Sequence, residues 1–315
     1  MVNVPTGHLR DPVTRQRVSF DPATGQFCNQ DGTVVAGFDD DNLQINWDWN
    51  RLPLSDGLRA DAIDEAASWD AWARTHGASQ VGEDRDRLTL ADWMAMDTLQ
   101  SRVARRADLQ IDGTTRMLDI GGTCKDSTYF LSAGLGQLDH VEVSSTSQRV
   151  GLRRLRSLRG TTGFGADRVR FHHVPAEALP FVDDSFDIVF SRSTLHHVSR
   201  PDTFDEICRV LRPGGLLLFV ERYMSDGLRS AMRWSRGVRR LERGTDMPLV
   251  CAELDYIQSR FSEFAWFPHN VVWPIKIPLQ KIGVSLPLGR FDAWLSDRAW
   301  LARRMGIKAW VIARK

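Results

Sequence analysis

The chain is short of lysine, of paired cysteines and of apolar runs long enough to cross a bilayer. Five lysines stand among 41 basic residues, and 40 acidic residues leave a formal net charge of +1. No overall field draws such a protein to nucleic acid or to an anionic membrane, so any basic partner site has to be local. The four cysteines, at 28, 124, 208 and 251, form no CxxC pair and have no histidine close by in the sequence to complete a tetrahedral set. Neither a bound metal nor a disulfide framework is expected from that spacing. The longest apolar run, GLLLFV at 215–220, has the length of a strand, and the opening MVNVPTGHLRDPVTRQR lacks the apolar core of a secretion signal. The expectation is a cytoplasmic protein without stable membrane insertion.

What is present suits a folded enzyme-sized chain: 315 residues, 42% of them hydrophobic, enough for one large domain and an appendage. Residues 1–45 are rich in Asp, Gly, Pro and Asn around short β-branched pieces, which reads as a small β-rich leader. Helical periodicity follows over 58–76 and 88–107, with Leu58, Ala62, Ala66, Trp69 and Trp72 three or four residues apart, so 46–110 is expected to form a helical cap on the next domain. From 111 to 315 the pattern alternates. Strands are expected at 116–120, 140–143, 169–174, 186–190 and 215–220, with helices near 125–133, 147–158 and 202–211. That alternation predicts an α/β fold, a parallel sheet with helices on both faces. Helical and irregular insertions are expected at 224–260 and 274–305, before a closing strand, IKAWVIARK.

In open α/β sheets ligands sit beyond the carboxyl ends of the strands. The rule selects Asp119 to Thr123 after the first strand, Glu142 after the second, Val174 to Glu177 after the third, Ser191 to His197 after the fourth and Glu221 to Tyr223 after the fifth. Gly121 and Gly122 let a backbone approach a ligand closely, and Glu142 is placed to accept hydrogen bonds from ribose hydroxyls. No GxGxxG follows the first strand, which speaks against a dinucleotide oxidoreductase.

LDIGG, VEVS, PAEALPFVDDSFDIVFSRSTLHHV and EICRVLRPGGLLLFVER, in that order over 116–222, resemble the class I S-adenosylmethionine-dependent methyltransferases, most closely the bacterial group that includes the ubiquinone and menaquinone methyltransferases. The resemblance implies a Rossmann-like sheet of seven strands with the last antiparallel, and S-adenosyl-L-methionine as cofactor. It also implies roles: Asp119, Gly121, Gly122 and Thr123 around the methionine portion, Glu142 on the ribose, Ala176 and Glu177 near the adenine, and Ser191 and Arg192 beneath the sulfonium. Two positions depart from the family pattern. Later loop glycines are replaced by Thr123 and Lys125, and Pro175 stands where an acid commonly meets the adenine amine. The leader resembles a zinc-ribbon-like module that has lost its metal ligands, with Asp11 and Thr14 in the first cysteine positions and Cys28 left with Asp31.

Methyl transfer is an in-line displacement that needs alignment and exclusion of water. Where the acceptor must lose a proton, His196 and His197 stand in place to act as base. Glu221 and Tyr223 are candidate substrate contacts, whereas His172 and His173 fall inside a strand pattern and read as packing residues. Arg229, Arg233, Arg236, Arg240 and Arg243 recur along one helical face, and Arg233 and Arg236 suit an anionic or carrier-bound acceptor. The expected function is methyl transfer to an O, N or C atom of a small molecule or specialised metabolite, by a possible homodimer. A non-methylating cyclase or alkyl transferase and a non-catalytic scaffold are the competing readings.

Overall fold

Buried, largely apolar stretches form the strands at 116–120, 186–190 and 215–220, as parallel strands covered on both faces favour, whereas the neighbouring strands at 137–142 and 169–173 bury charged and histidine side chains. The computed structural model describes residues 4–80, 105–157, 167–225, 247–272, 281, 283 and 289–315. Its sheet has eleven strands in the order β1-β2-β3-β4-β7-β6-β5-β8-β9-β11-β10. Residues from 116 onward supply β5 (Arg116–Ile120), β6 (Gln137–Glu142), β7 (Val169–His173), β8 (Phe186–Arg192), β9 (Leu211–Arg222), β10 (Glu263–His269) and β11 (Lys308–Arg314). The leader supplies β1 (Ser19–Asp21), β2 (Gln26–Cys28), β3 (Val34–Asp39) and β4 (Gln44–Trp47). The expected count of seven is therefore corrected to eleven, because the leader joins the sheet: β4 pairs in parallel with β7 through Gln44, Ile45 and Asn46. β11 lies between β9 and β10 and is antiparallel to both.

The described helices are α1 (Asp56–His76), α2 (Ser127–Ser132), α3 (Ser145–Arg156), α4 (Arg200–Val210), α5 (Cys251–Arg260), α6 (Gly289–Ser296) and α7 (Ala299–Met305). None of them is long and apolar enough to cross a membrane. α1 and α3 each open on a hydrogen-bonding cap: the Ser55 hydroxyl accepts from the Leu58 amide at 3.2 Å, and the Ser144 hydroxyl accepts from the Ser147 amide at 2.9 Å. Asp70 ties the two helices together. Its Oδ1 accepts from the Ser144 hydroxyl at 2.5 Å and from the Thr146 amide at 3.0 Å, so a carboxylate of α1 sits on the N-terminal turn of α3. Burial alone would raise the Asp70 pKa, but these bonds outweigh it and hold it below the usual value. A Cβ on Gly77 would lie 2.6 Å from Val150 Cγ2, so any other residue there would force the Val150 side chain of α3 to shift. The expected helix at 88–107 falls largely outside the described residues, as does most of the insertion at 224–260.

In the leader, hydrogen bonds link the two positions where the zinc-ribbon resemblance would place metal ligands. Asp11 Oδ2 accepts from Thr14 Oγ1 at 2.9 Å and from Asn29 Nδ2 at 3.2 Å, while Asn29 Oδ1 accepts from the amides of Asp31 and Thr33.

A buried charge cluster fastens the leader to the sheet. Asp139 on β6 is wholly buried and accepts from Arg170 Nε at 2.8 Å and Nη2 at 2.9 Å. His172 Nε2 lies 2.8 Å from its Oδ1, and His8 Nε2 from the leader lies 3.2 Å from its Oδ2. Arg170 also donates to the Pro5 carbonyl, and Trp47 Nε1 to His172 Nδ1. Burial opposes charge on Asp139, but Arg170 and the histidines outweigh it and keep its pKa well below the usual carboxylate range.

Burial pushes the His8 pKa down from 6.5 to about 4. The folded state thus excludes a proton that the unfolded chain binds, and stability present above pH 6.5 is lost as pH falls toward 4. For His8 alone the loss is on the order of 3 kcal/mol. Melting temperatures recorded from pH 7 to pH 4 should fall steeply, and His8→Gln should flatten that slope.

Candidate active site

Strand order reverses between β5 and β8, and the crevice beyond their carboxyl ends is where a ligand finds backbone groups free of the ladder. A cavity of about 470 Å³ opens there. Its floor comes from the β5 loop, with Gly121, Gly122 and Thr123; one side comes from Val141, Glu142 and Val143; another from Val174 to Glu177; and a third from Arg192 to Thr194 with His197 to Ser199. Leu58, Asp61, Ala62, Glu65, Trp69 and Trp72 of α1 form its roof. Their spacing of three and four places them along one helix face.

The two glycines do different work. Gly121, at φ 82°, donates its amide to the Val141 carbonyl at 2.8 Å, and a Cβ there would collide with the Thr194 side chain. Gly122, at φ 79°, has open space where a Cβ would go and donates its amide to Glu142 Oε2 at 2.7 Å. The loop beyond them is held by side chains: Arg154 donates to both the carbonyl and the hydroxyl of Thr123. Cys124 follows in a left-handed conformation, φ 53°, with its side chain buried.

Glu142 takes the Ser144 amide on its other oxygen at 2.8 Å, which leaves lone pairs on both oxygens for further donors. Burial raises its pKa. Glu177 accepts from the Ser199 amide at 2.7 Å, and burial raises its pKa too. Two carboxylates short of donors face apolar walls from Ile120, Val141, Val174 and Val198. This set fits a nucleoside, whose hydroxyl and amino groups donate and whose base is flat.

The structure separates the two histidines. His197 faces the cavity, its Nδ1 2.8 Å from Glu65 Oε1 of the roof and its ring edge-on to Trp69, which donates Nε1 to the same Glu65 oxygen at 2.7 Å. His196 lies behind the wall, with Nδ1 2.6 Å from Glu221 Oε2. Glu221 is buried and its other oxygen accepts from the amides of Thr194 and Leu195, so it organises the loop rather than lining the cavity. Asp119 and Ser191 are also behind the wall, Asp119 accepting from Ser127 Oγ and Ser191 donating to the Ile120 carbonyl. Arg192 lines the cavity while held by Asp126 and stacked over Trp310. Tyr223 belongs to a different cavity, of about 690 Å³, with Cys251, Trp266 and Arg303. Arg233 and Arg236 lie outside the described residues.

Residues 118–219 match the family model described as a methyltransferase domain. Over these residues the chain carries a methyltransferase domain. It is 34% identical over 143 residues to a demethylmenaquinone methyltransferase of Clavibacter sepedonicus, covering 45% of this chain and 55% of that protein. With the ubiquinone/menaquinone biosynthesis C-methyltransferase UbiE of Azotobacter vinelandii it shares 35% identity over 127 residues, 38% of this chain and 48% of the other. The chain thus spans about half the length of the curated relatives it matches. The fold is also that of the [4+2]-cyclase SpnF, with a TM-score of 0.50 and 24% identity over 81% of this chain and 96% of that one.

The glycine turn, Glu142 and Glu177 are the groups that would hold a nucleoside-bearing cofactor. Sequence reasoning missed Asp61, Glu65 and Ser199. Glu65 and Asp61 were visible as the turn-by-turn neighbours of Trp69 on α1, but nothing in the sequence aimed that face at the cavity.

Gly122→Ala should cost about 1–2 kcal/mol through its backbone alone, whereas Gly121→Ala adds a collision with Thr194 and should abolish cofactor binding. Scanning fluorimetry and calorimetric titration separate the two effects. Asp70→Ala should cost about 1–3 kcal/mol through the lost hydrogen bonds to the opening turn of α3 and weaken cofactor binding by loosening the roof.

Proposed function

We propose that the chain transfers a methyl group from S-adenosylmethionine to a small, flat acceptor that enters beneath α1. The observation that carries this reading is that the glycine turn, Glu142, Glu177, His197 and the tryptophan roof close on one cavity. The cofactor supplies an electrophilic methyl group on a sulfonium. The protein's share is to align acceptor and methyl and to keep water out, and Trp69 and Trp72 suit both tasks by covering the cavity with apolar surface.

His197 is the residue we assign as base where the acceptor gives up a proton, with Glu65 placed to steady the imidazolium. His196 then acts as a positioning residue through Glu221. The charged groups among the described lining residues are Asp61, Glu65, Glu142, Glu177 and Arg192, with Arg192 already paired to Asp126. That wall supports a neutral acceptor, aromatic or enolic, which agrees with relatives named for quinone biosynthesis. The anionic acceptor rests on Arg233 and Arg236 alone. We read residues 1–45 as a docked leader, 46–110 as the cap and 111–315 as the catalytic unit.

Calorimetric titration with S-adenosylmethionine and S-adenosylhomocysteine, with NAD as control, tests the cofactor reading. Micromolar binding of the sulfur compounds, lost in Glu142→Ala, is expected; absence of binding by the folded protein would overturn it. With an acceptor in hand, His197→Ala should lower kcat by about 10²- to 10⁴-fold with cofactor affinity kept, while wild-type turnover would remove the base assignment. Turnover of an acceptor without formation of S-adenosylhomocysteine would instead identify a non-methylating enzyme.

A further inference from the structure

The loop that departs from the glycine pattern ends on three buried ligating side chains that the cofactor cavity does not use. Asp119 on β5, Cys124 in the loop and His140 on β6 are 3%, 1% and 0% exposed, and one ligand atom of each lies within 4.8 Å of the others. Cys124 holds a left-handed backbone, which costs about 1–2 kcal/mol for a residue with a Cβ, and its sulfur packs closely against Gly151, where a Cβ would stand 3.1 Å from Sγ. Both ring nitrogens of His140 are buried and neither makes a well-formed hydrogen bond; the ring's polar neighbours are Asp119, 3.4 Å from Nδ1, and Cys124. Poorly satisfied buried groups are costly, and native structures rarely keep them without a reason.

We propose that Asp119, Cys124 and His140 form a binding site for a zinc-class divalent cation beneath the cofactor loop. A thiolate, an imidazole and one carboxylate are the donor types that zinc and its borderline neighbours take, whereas magnesium and calcium call for oxygen alone. His140 Nδ1 and Asp119 Oδ2 are 3.4 Å apart, and tetrahedral zinc with ordinary bond lengths sets a nitrogen and an oxygen about 3.3 Å apart. The widest pair closes by about 1 Å to reach the same geometry. Ser127 donates to Asp119 from outside the trio, the kind of support that orients a ligating carboxylate. Water completes the fourth position. On binding, the Cys124 thiol gives its proton to solvent and the sulfur becomes the metal's ligand.

The site follows from these three residues and stands apart from the methyl-transfer reading. Its consequence does rest on that reading: a metal here would tie the loop carrying Gly121 and Gly122 to β6, the strand that ends in Glu142, in place of the missing later glycines.

The test uses the full chain, stripped of metal and titrated with Co(II), then with Zn(II). One equivalent of cobalt should give a thiolate-to-cobalt charge-transfer band that zinc abolishes, and zinc should raise the melting temperature. Cys124→Ser should remove the band, and His140→Gln should weaken metal binding by at least about 100-fold. The combined Cys28→Ser, Cys208→Ser and Cys251→Ser variant should keep both. Absence of the band in the wild-type chain overturns the proposal whether or not any variant folds. So does a band that survives Cys124→Ser or disappears with the other three cysteines. Cofactor titration in the same samples reads methyltransferase competence separately, so failure of one reading leaves the other standing.

Discussion

A carboxylate with no exposed surface has to be neutralised where it lies, and Asp139 imposes that condition on the middle of the sheet. Arg170 meets it from the neighbouring strand, but Arg170 has more donors than Asp139 has oxygens, and the surplus turns to His8 and Pro5 of the leader. The leader is thereby part of the charge balance of the core. Without it, an arginine and a carboxylate would face a half-open edge. The same cluster sets the position of β7, whose far end runs into Val174 to Glu177 at the cavity wall.

The cavity is built on the same logic of satisfied polar groups. Glu142 holds the amides of Gly122 and Ser144, Glu221 holds those of Thr194 and Leu195, and Glu177 holds that of Ser199. Three loops that would otherwise expose backbone donors are each organised around one carboxylate. Of the three, Glu142 and Glu177 remain in the wall and can accept from a ligand, whereas Glu221 is consumed by the loop and His196.

The strands from residue 116 onward were legible apart from the half-exposed edge strand β10, because strands alternating with helices leave a recognisable pattern, and Glu142 was legible because strand ends and loop lengths in this architecture are regular. The docking of β4 on β7 was not, since hydrogen-bonded partners far apart in sequence leave no local trace. The histidine pair shows a finer limit. His196 and His197 sit in a single 3₁₀ turn, Leu195–His197, where successive side chains diverge by about a third of a circle. One residue of phase decides which faces the cavity, and composition carries no phase. Likewise Cys124 and His140 stand too far apart in sequence for a spacing rule, yet adjacent strands bring them together.

The leader's attachment bears on how the molecule behaves at high concentration. An uncovered β7 would present a row of unpaired backbone groups at the margin of the sheet, a template for adding strands from other molecules. β4 occupies that margin, and the antiparallel run outward to β1 hands the exposed border to a strand of only three residues. A border so short offers little length for intermolecular pairing, so the leader also works as a guard against aggregation.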